Sequence, residues 1–434
     1  MAKEILLMSK CLGVRNKGKF LGLNIETGET ELSAAVNVFI DKEGKVRRRG
    51  GRRILSTRRG RKDGFGSGSG DCLVKCGTSL FRMAVELGLT GIRSGMTEGE
   101  CSFSKIGKHT YYTDGMLNGK VVEGGVSSDW LVGDYVGPAT IRSFGNPPVG
   151  SLVGYYNSRA YVAVGKVLLY SEPFWYSAFD ASQNFIEFDS TITMLKRFEG
   201  GLVVGTQYRT YVLKGTGPAD FERKTVDLIG PFAGSGVEKY VQVGDSFFLT
   251  AMWTSLSGVY VCDRSGTVSN LLVDKMDIVL MKDFVSGAAV WDNYYIVCAS
   301  PLAMVVNVLS GSVSFLSDFY YTTLFECFGK LIGGDDEGLY EIDTGNYDEQ
   351  LSGEEKEVDA WIKLPRNDWG ISNIKGIRTV YVHGDINSVE VTSRTETGES
   401  TVQTIESLYE NKVGSINPGC NLQGCNWEFT LRNV

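Results

Sequence analysis

Along most of the chain, apolar residues come in short runs separated by glycine or Asn/Asp turns, and helical spacing is nearly absent. Two such runs joined by one tight turn are the signature of a β-hairpin. The clearest are CLVKCGTSLFRM (72–83), HTYYTDGMLNGKVVE (109–123), GYYNSRAYVAVGKVLLYSEP (154–173) and MLKRFEGGLVVGTQYRTYVL (194–213). SFFLTAMWTSLSGVYVCDRSGTVSNLL (246–272), AAVWDNYYIVCASPLAMVVNVLSGSVSFL (288–316) and LFECFGKLIGGDDEGLYEID (324–343) follow. Their starts lie about 42 residues apart on average, close to the length of one four-stranded propeller blade. The pattern predicts an all-β chain in which 72–343 form an irregular β-propeller of about seven blades. An array of β-sandwiches is the competing arrangement.

Three other pieces flank this region. Residues 1–71 read as an N-terminal basic docking segment ending in a Gly/Ser-rich loop, DGFGSGSGD (63–71). TGNYDEQLSGEEKEVD (344–359) reads as an exposed acidic connector. Beyond it, strict alternation around RTVYVHG and SVEVTSR, with CNWEFTLRNV closing the chain, predicts a small β-sandwich over 360–434.

Composition sharpens this picture in two ways. With 434 residues, 42% of them hydrophobic, the chain is globular and too long for one ordinary core; its 54 glycines and 9 prolines suit many tight turns. The net charge of −7 hides an asymmetry, because residues 1–62 carry +10 and the remainder −17. Most of the positive charge sits in KVRRRGGRRILSTRRGRK (45–62). At Arg47, Arg48, Arg49, Arg52, Arg53, Arg58, Arg59, Arg61 and Lys62 both faces of any strand would be basic, which an ordinary half-buried strand does not tolerate. A solvated arm, a docking strip for an acidic protein partner and a phosphate-contacting collar compete, with docking preferred. On that reading, serine at Arg47, Arg48, Arg52 and Arg53 would leave the propeller folded.

Candidate chemistry is sparse. The two histidines, His109 in KHTYYTD and His383 in YVHGD, fall in separate predicted domains. GFGSGSG (64–70) lacks the strand-before, helix-after context of a phosphate cradle. Asp335, Asp336 and Glu337 sit together in one predicted turn, where they point outward rather than across a bond. Cys72 with Cys76, and Cys420 with Cys425, lack zinc-knuckle spacing. Nine cysteines spread over this length suggest reduced, mostly buried thiols in a protein assembled in cytosol. MAKEILLMSK is too short an apolar run for a signal peptide, and 296–309, broken by Pro301, is too short to span a bilayer. The expectation is a soluble, non-enzymatic protein with no catalytic residues, metal or cofactor.

LNIETGETELSAAVNVFIDKEGKVRRRGGRRIL (23–55), with its Asn-Val strand, Asp-x-x-Gly turn and Arg-rich strand running into Gly-Gly-Arg, resembles the opening of short-tailed bacteriophage tail nozzle proteins. These are also called tail hub, tubular B or packaged-DNA-stabilisation proteins. The order YVAV, LLYSEP, FEGGLVVGTQYRTYVLKGTGPADF and GPFAGSG within 152–280 is similar to the family's central propeller. IKGIRTVYVHGDINSVEV (374–391) and CNWEFTLRNV (425–434) resemble its closing sandwich. The dense arginine run and the GFGSGSG segment depart from it. The resemblance implies a virion structural protein assembled in the host bacterial cytoplasm into a homo-oligomeric ring, usually a hexamer. Its partners would be the head-to-tail adaptor or portal proteins, tail fibres or spikes, and the double-stranded DNA that the ring conducts and retains. The competing functions are a propeller-type virion hydrolase or depolymerase, and a nucleic-acid-binding propeller using 45–62 as its footprint.

Overall fold

The computed structural model describes residues 5–17, 24, 27–66, 70, 72–122, 124–132, 144–243, 245–276, 287–369, 373–384, 386–408, 413–418 and 422–433. Among these, every regular element is a strand. Blade 1 runs outward from Lys62–Gly66 through Cys72–Cys76 and Ser79–Met83 to Leu89–Arg93. Blades 2 to 5 repeat this meander, beginning at the inner strands Ser102–Ile106, Leu152–Tyr156, Ile192–Phe198 and Val237–Val243. These five sheets stand free. Two further meanders, beginning at Ala288–Trp291 (blade 6) and Thr323–Cys327 (blade 7), are each fused to additional strands, giving seven among the described residues. First strands of successive blades touch from blade 2 round to blade 7 and on to blade 1. Phe65 stacked on Phe103 at 5.9 Å links blades 1 and 2, so the ring is closed.

The blades form where they do because their middle strands are buried on both faces. In Arg159–Val164, Ala160 and Val162 pack with Tyr111 and Trp130 of blade 2, while Tyr161 and Ala163 pack with Leu195 and Leu202 of blade 4. Alternation is thus between two neighbours rather than between core and water, which is why RAYVAV reads as a nearly continuous apolar run. Each large side chain so buried contributes about 1.5–3 kcal/mol. Two-residue turns with positive φ at both positions, Asn157–Ser158 (37° and 66°) and Asp292–Asn293 (43° and 64°), match the right-handed strand twist and set the hairpin register.

The C-terminal region packs two layers, as expected of a small sandwich, but it is not a separate body. Trp361–Lys363, Trp427–Arg432, Ile386–Thr395 and Gln403–Leu408 extend one sheet, and the ribbon of Val380–His383 with Val413–Ile416 shares its core. Between this sheet and blade 6 lies Ala34–Val36, paired in parallel with Phe315 and antiparallel with Trp361–Lys363. One continuous apolar core therefore runs from Val259 and Val297 in the propeller through Val38 and Ile40 to Val389, Trp427 and Phe429.

The expected boundaries change accordingly. The described part of 1–71 is not an appendage: Arg52–Ser56 is the outermost strand of blade 7 and Lys62–Gly66 is the innermost strand of blade 1. The propeller therefore begins before 72. The 344–359 connector is partly a hairpin, Tyr347–Glu349 with Glu355–Glu357, attached to the same sheet where Asp348 pairs with Arg52. Residues 63–66 of the expected loop are strand, and 67–69 and 71 lie outside the described residues.

Candidate functional site: the basic stripe at the ring closure

The glycines of GFGSGSG explain how blade 1 can sit so close to blade 7. A Cβ on Gly66 would lie 1.6 Å from the Glu326 carbonyl oxygen, and one on Gly64 would lie 2.0 Å from the Phe325 ring. These residues permit a close approach of two inner strands. Beside them, Cys72 on the second strand of blade 1 and Cys327 at the end of the innermost strand of blade 7 form a disulfide, with Cα atoms 5.9 Å apart and a sequence separation of 255. This corrects the expectation of reduced thiols for that pair. Cys76 remains a buried thiol and Cys425 a half-buried one, while Cys420 lies outside the described residues.

The arginines meet the acidic residues of blade 7 and its attached hairpin. Arg47 donates through Nη1 to both Asp343 carboxylate oxygens, at 3.1 and 3.0 Å, and its guanidinium lies 4.8 Å from the Phe39 ring. Arg48 reaches Glu357 at 3.4 Å. Arg49, only 3% exposed, makes a two-point pair with buried Asp348 at 3.0 and 2.8 Å. Arg52 donates to Tyr321 Oη and Gln350 Oε1 and lies over Tyr340. Arg53 donates to Glu341 at 2.5 Å, and Lys330 holds the other oxygen of that carboxylate at 3.0 Å.

Burial would raise the Glu341 carboxyl, but the hydrogen bonds from Lys330 and Arg53 outweigh it and hold the group below its ordinary range. Burial pushes the Tyr321 hydroxyl up to about 12, against the opposing charge of Arg52.

Further along, Arg58 lies 4.7 Å from the Phe81 ring, and Arg61 pairs with Asp63 at 3.2 Å and Glu100 at 3.6 Å. Lys62 is fully buried, its ammonium donating to the carbonyls of Gly60 at 2.7 Å and Asp335 at 2.8 Å, and burial pushes its pKa down. Arg58 and Arg59 are exposed, and neither makes an ion pair among the described residues. The stripe is therefore largely an internal clasp, a role absent from the three considered from sequence. Its two-faced basicity is tolerated because the carboxylates lie in the same sheet and the next. Charge +10 at one end and −17 over the rest are complementary within one chain.

The remaining candidates are not brought together. His109 begins the second strand of blade 2 and His383 ends a strand of the C-terminal ribbon. Asp335 Oδ1 accepts from the amides of Glu337 and Gly338, the expected turn, with Asp336 and Glu337 exposed. Among the described residues no three His, Cys, Asp or Glu side chains group as metal ligands, and no helix is long and apolar enough to cross a membrane.

No protein-family model matches the chain. No curated protein matches it in sequence. Several solved structures resemble it in fold. A streptogramin B lyase superposes with TM-score 0.47 at 8% identity, over 68% of this chain and 97% of its own. The virginiamycin B lyase of Staphylococcus aureus gives 0.46 at 7%, over 67% and 96%. The extracellular domain of the hybrid two-component system BT4673 from B. thetaiotaomicron gives 0.49 at 9%, over 89% of this chain and 58% of that one. At such identities only the chain path is shared, and nothing of those proteins' activity carries over.

Proposed function

We propose that the chain is a structural, non-enzymatic subunit of a short-tailed bacteriophage tail nozzle, assembling into a ring that conducts and retains packaged DNA. The observation that carries the reading concerns the segment on which the resemblance rests. Within residues 23–55, Ala34–Val36 joins blade 6 to the C-terminal sheet, and Arg52–Ser56 closes blade 7. The residues that resemble the family's opening are thus those that tie its expected propeller and sandwich into one body. A conduit under internal DNA pressure needs such a body, because a clasp of strand pairing and buried ion pairs opens only cooperatively. Most of the arginines, Arg47, Arg48, Arg49, Arg52, Arg53 and Arg61, are engaged inside the chain, which weakens the case for a nucleic-acid footprint.

The reading is tested by locating the protein in particles. Purified virions digested for mass spectrometry should contain the chain, and antibody against it should decorate the tail below the head in electron micrographs. Its absence from virions, or its presence only in infected-cell lysate, would contradict the proposal.

A further inference from the structure

A groove of about 860 Å³ opens between the hairpin of blade 5 and the first turns of blades 6 and 7. Its lining includes Tyr240, Gln242, Phe247, Trp291, Asp292 and Asn293. Tyr240 and Gln242 are two apart on one strand, and Gln242 stands directly opposite Phe247, so the three share one face of the hairpin. Val241 on the other face is buried in the core. The hairpin thus turns its aromatic side outward: Tyr240 is 56% and Phe247 62% exposed.

Across the groove, Trp291 is fixed at two points. Its Nε1 donates to the Gly329 carbonyl at 3.1 Å, and its ring meets Phe39 edge-on at 5.9 Å. Asp292 and Asn293 form the left-handed turn that follows, and neither side chain makes a hydrogen bond within the chain among the described residues. At the inner end Lys239 of blade 5 and Glu326 of blade 7 form an ion pair.

Rigid aromatic rings beside planar carboxylate and carboxamide groups suit a ligand with an apolar face and a rim of hydroxyls. A pyranose has both, its axial C–H bonds lying on a ring and its equatorial hydroxyls meeting Asp292, Asn293 and Gln242. The charged residues lining the groove, Lys42 and Lys239 against Asp292 and Glu326, balance. A single-stranded nucleic acid would instead call for an excess of cations beside its stacking rings. We propose that this groove binds a neutral oligosaccharide, one pyranose lying against Trp291 and Phe247. The proposal is independent of the nozzle reading.

The test titrates the full chain with maltohexaose, cellohexaose and chitohexaose, and in parallel with a short oligothymidylate, by saturation-transfer NMR and tryptophan fluorescence. At least one of the three sugars should bind saturably. Trp291→Ala and Phe247→Ala should each weaken it about tenfold, as loss of a central aromatic anchor does. Asp292→Asn should weaken it about threefold, while Trp175→Ala, on the exposed edge of blade 3, should leave it unchanged. Phe247 and Asp292 are surface residues, so their variants carry the test if Trp291→Ala fails to fold. Failure of all three sugars to bind, wild-type binding by Phe247→Ala, or displacement of the sugar by oligothymidylate would overturn the proposal.

Discussion

Arg49 and Asp348 lie 299 positions apart in the chain and meet in a two-point ion pair, Nη1 to Oδ1 at 3.0 Å and Nη2 to Oδ2 at 2.8 Å. Both side chains are buried, so removing one strands the other without water. Arg49→Met should lower unfolding stability by about 3–5 kcal/mol, and Arg49→Met with Asp348→Leu should recover most of that loss. Denaturant midpoints of the two variants check this. Equal destabilisation in both would mean that the pair is not what matters there.

The same geometry reverses the expectation for the serine replacements. Arg52 and Arg53 belong to the closing strand of blade 7, and Arg47 holds Asp343 beside it. Changing Arg47, Arg48, Arg52 and Arg53 together should therefore loosen blade 7, read as faster amide exchange over 339–342, instead of leaving the propeller intact.

Reduction addresses the covalent part of the closure. The Cys72–Cys327 disulfide spans 255 positions, so in the unfolded chain it constrains a very large loop. Cys72→Ser, or dithiothreitol, should cost about 3–5 kcal/mol on the chain-entropy account. A non-reducing peptide map should recover the linked 72 and 327 peptides; free thiols at both positions would contradict the pairing.

Acid should weaken the clasp at Glu341. Its folded pKa lies below the ordinary 4.5, so its stabilising contribution is present above that value and lost as pH falls through the folded one. The stability difference between the wild type and Glu341→Gln should be constant from about pH 8 to 5 and shrink below about pH 4.5. A difference that grows on acidification would have the wrong sign.

Proteolysis separates a hinged tail from an interlocked one. Residues 351–357 are exposed, as the acidic composition led one to expect, and should be the first site nicked by a Glu-specific protease. Because Ala34–Val36 pairs with Trp361–Lys363, the two fragments should nonetheless co-elute on a sizing column and part only in denaturant. Separation under native conditions would show that the C-terminal sheet is an independent domain.

How far the sequence could be read depended on sequence distance. The hairpins at 154–173 and 288–316 were legible because their turns and paired strands are contiguous. The apolar runs at 72 and 109 mark second strands, and the inner ones, Lys62–Gly66 and Ser102–Ile106, carry no comparable run. The first was hidden because glycine that allows close approach looks the same in sequence as glycine that allows flexibility. The clasp was hidden for a related reason: a strand basic on both faces looks unburiable until Glu341, Asp343 and Asp348 are known to lie beside it. Cysteine counting likewise suggested thiols, since nothing local links Cys72 to Cys327. The groove residues Tyr240, Phe247 and Trp291 gave a faint signal as aromatics flanking turns, which strand-rich sequences offer too often to single out.

Ring assembly is the central claim, and native mass spectrometry of the purified full chain tests it most directly. Closed rings, hexamers of the 47.5 kDa protomer, are the expected result. Particles of a single protomer mass, persisting as protein concentration is raised, would contradict it.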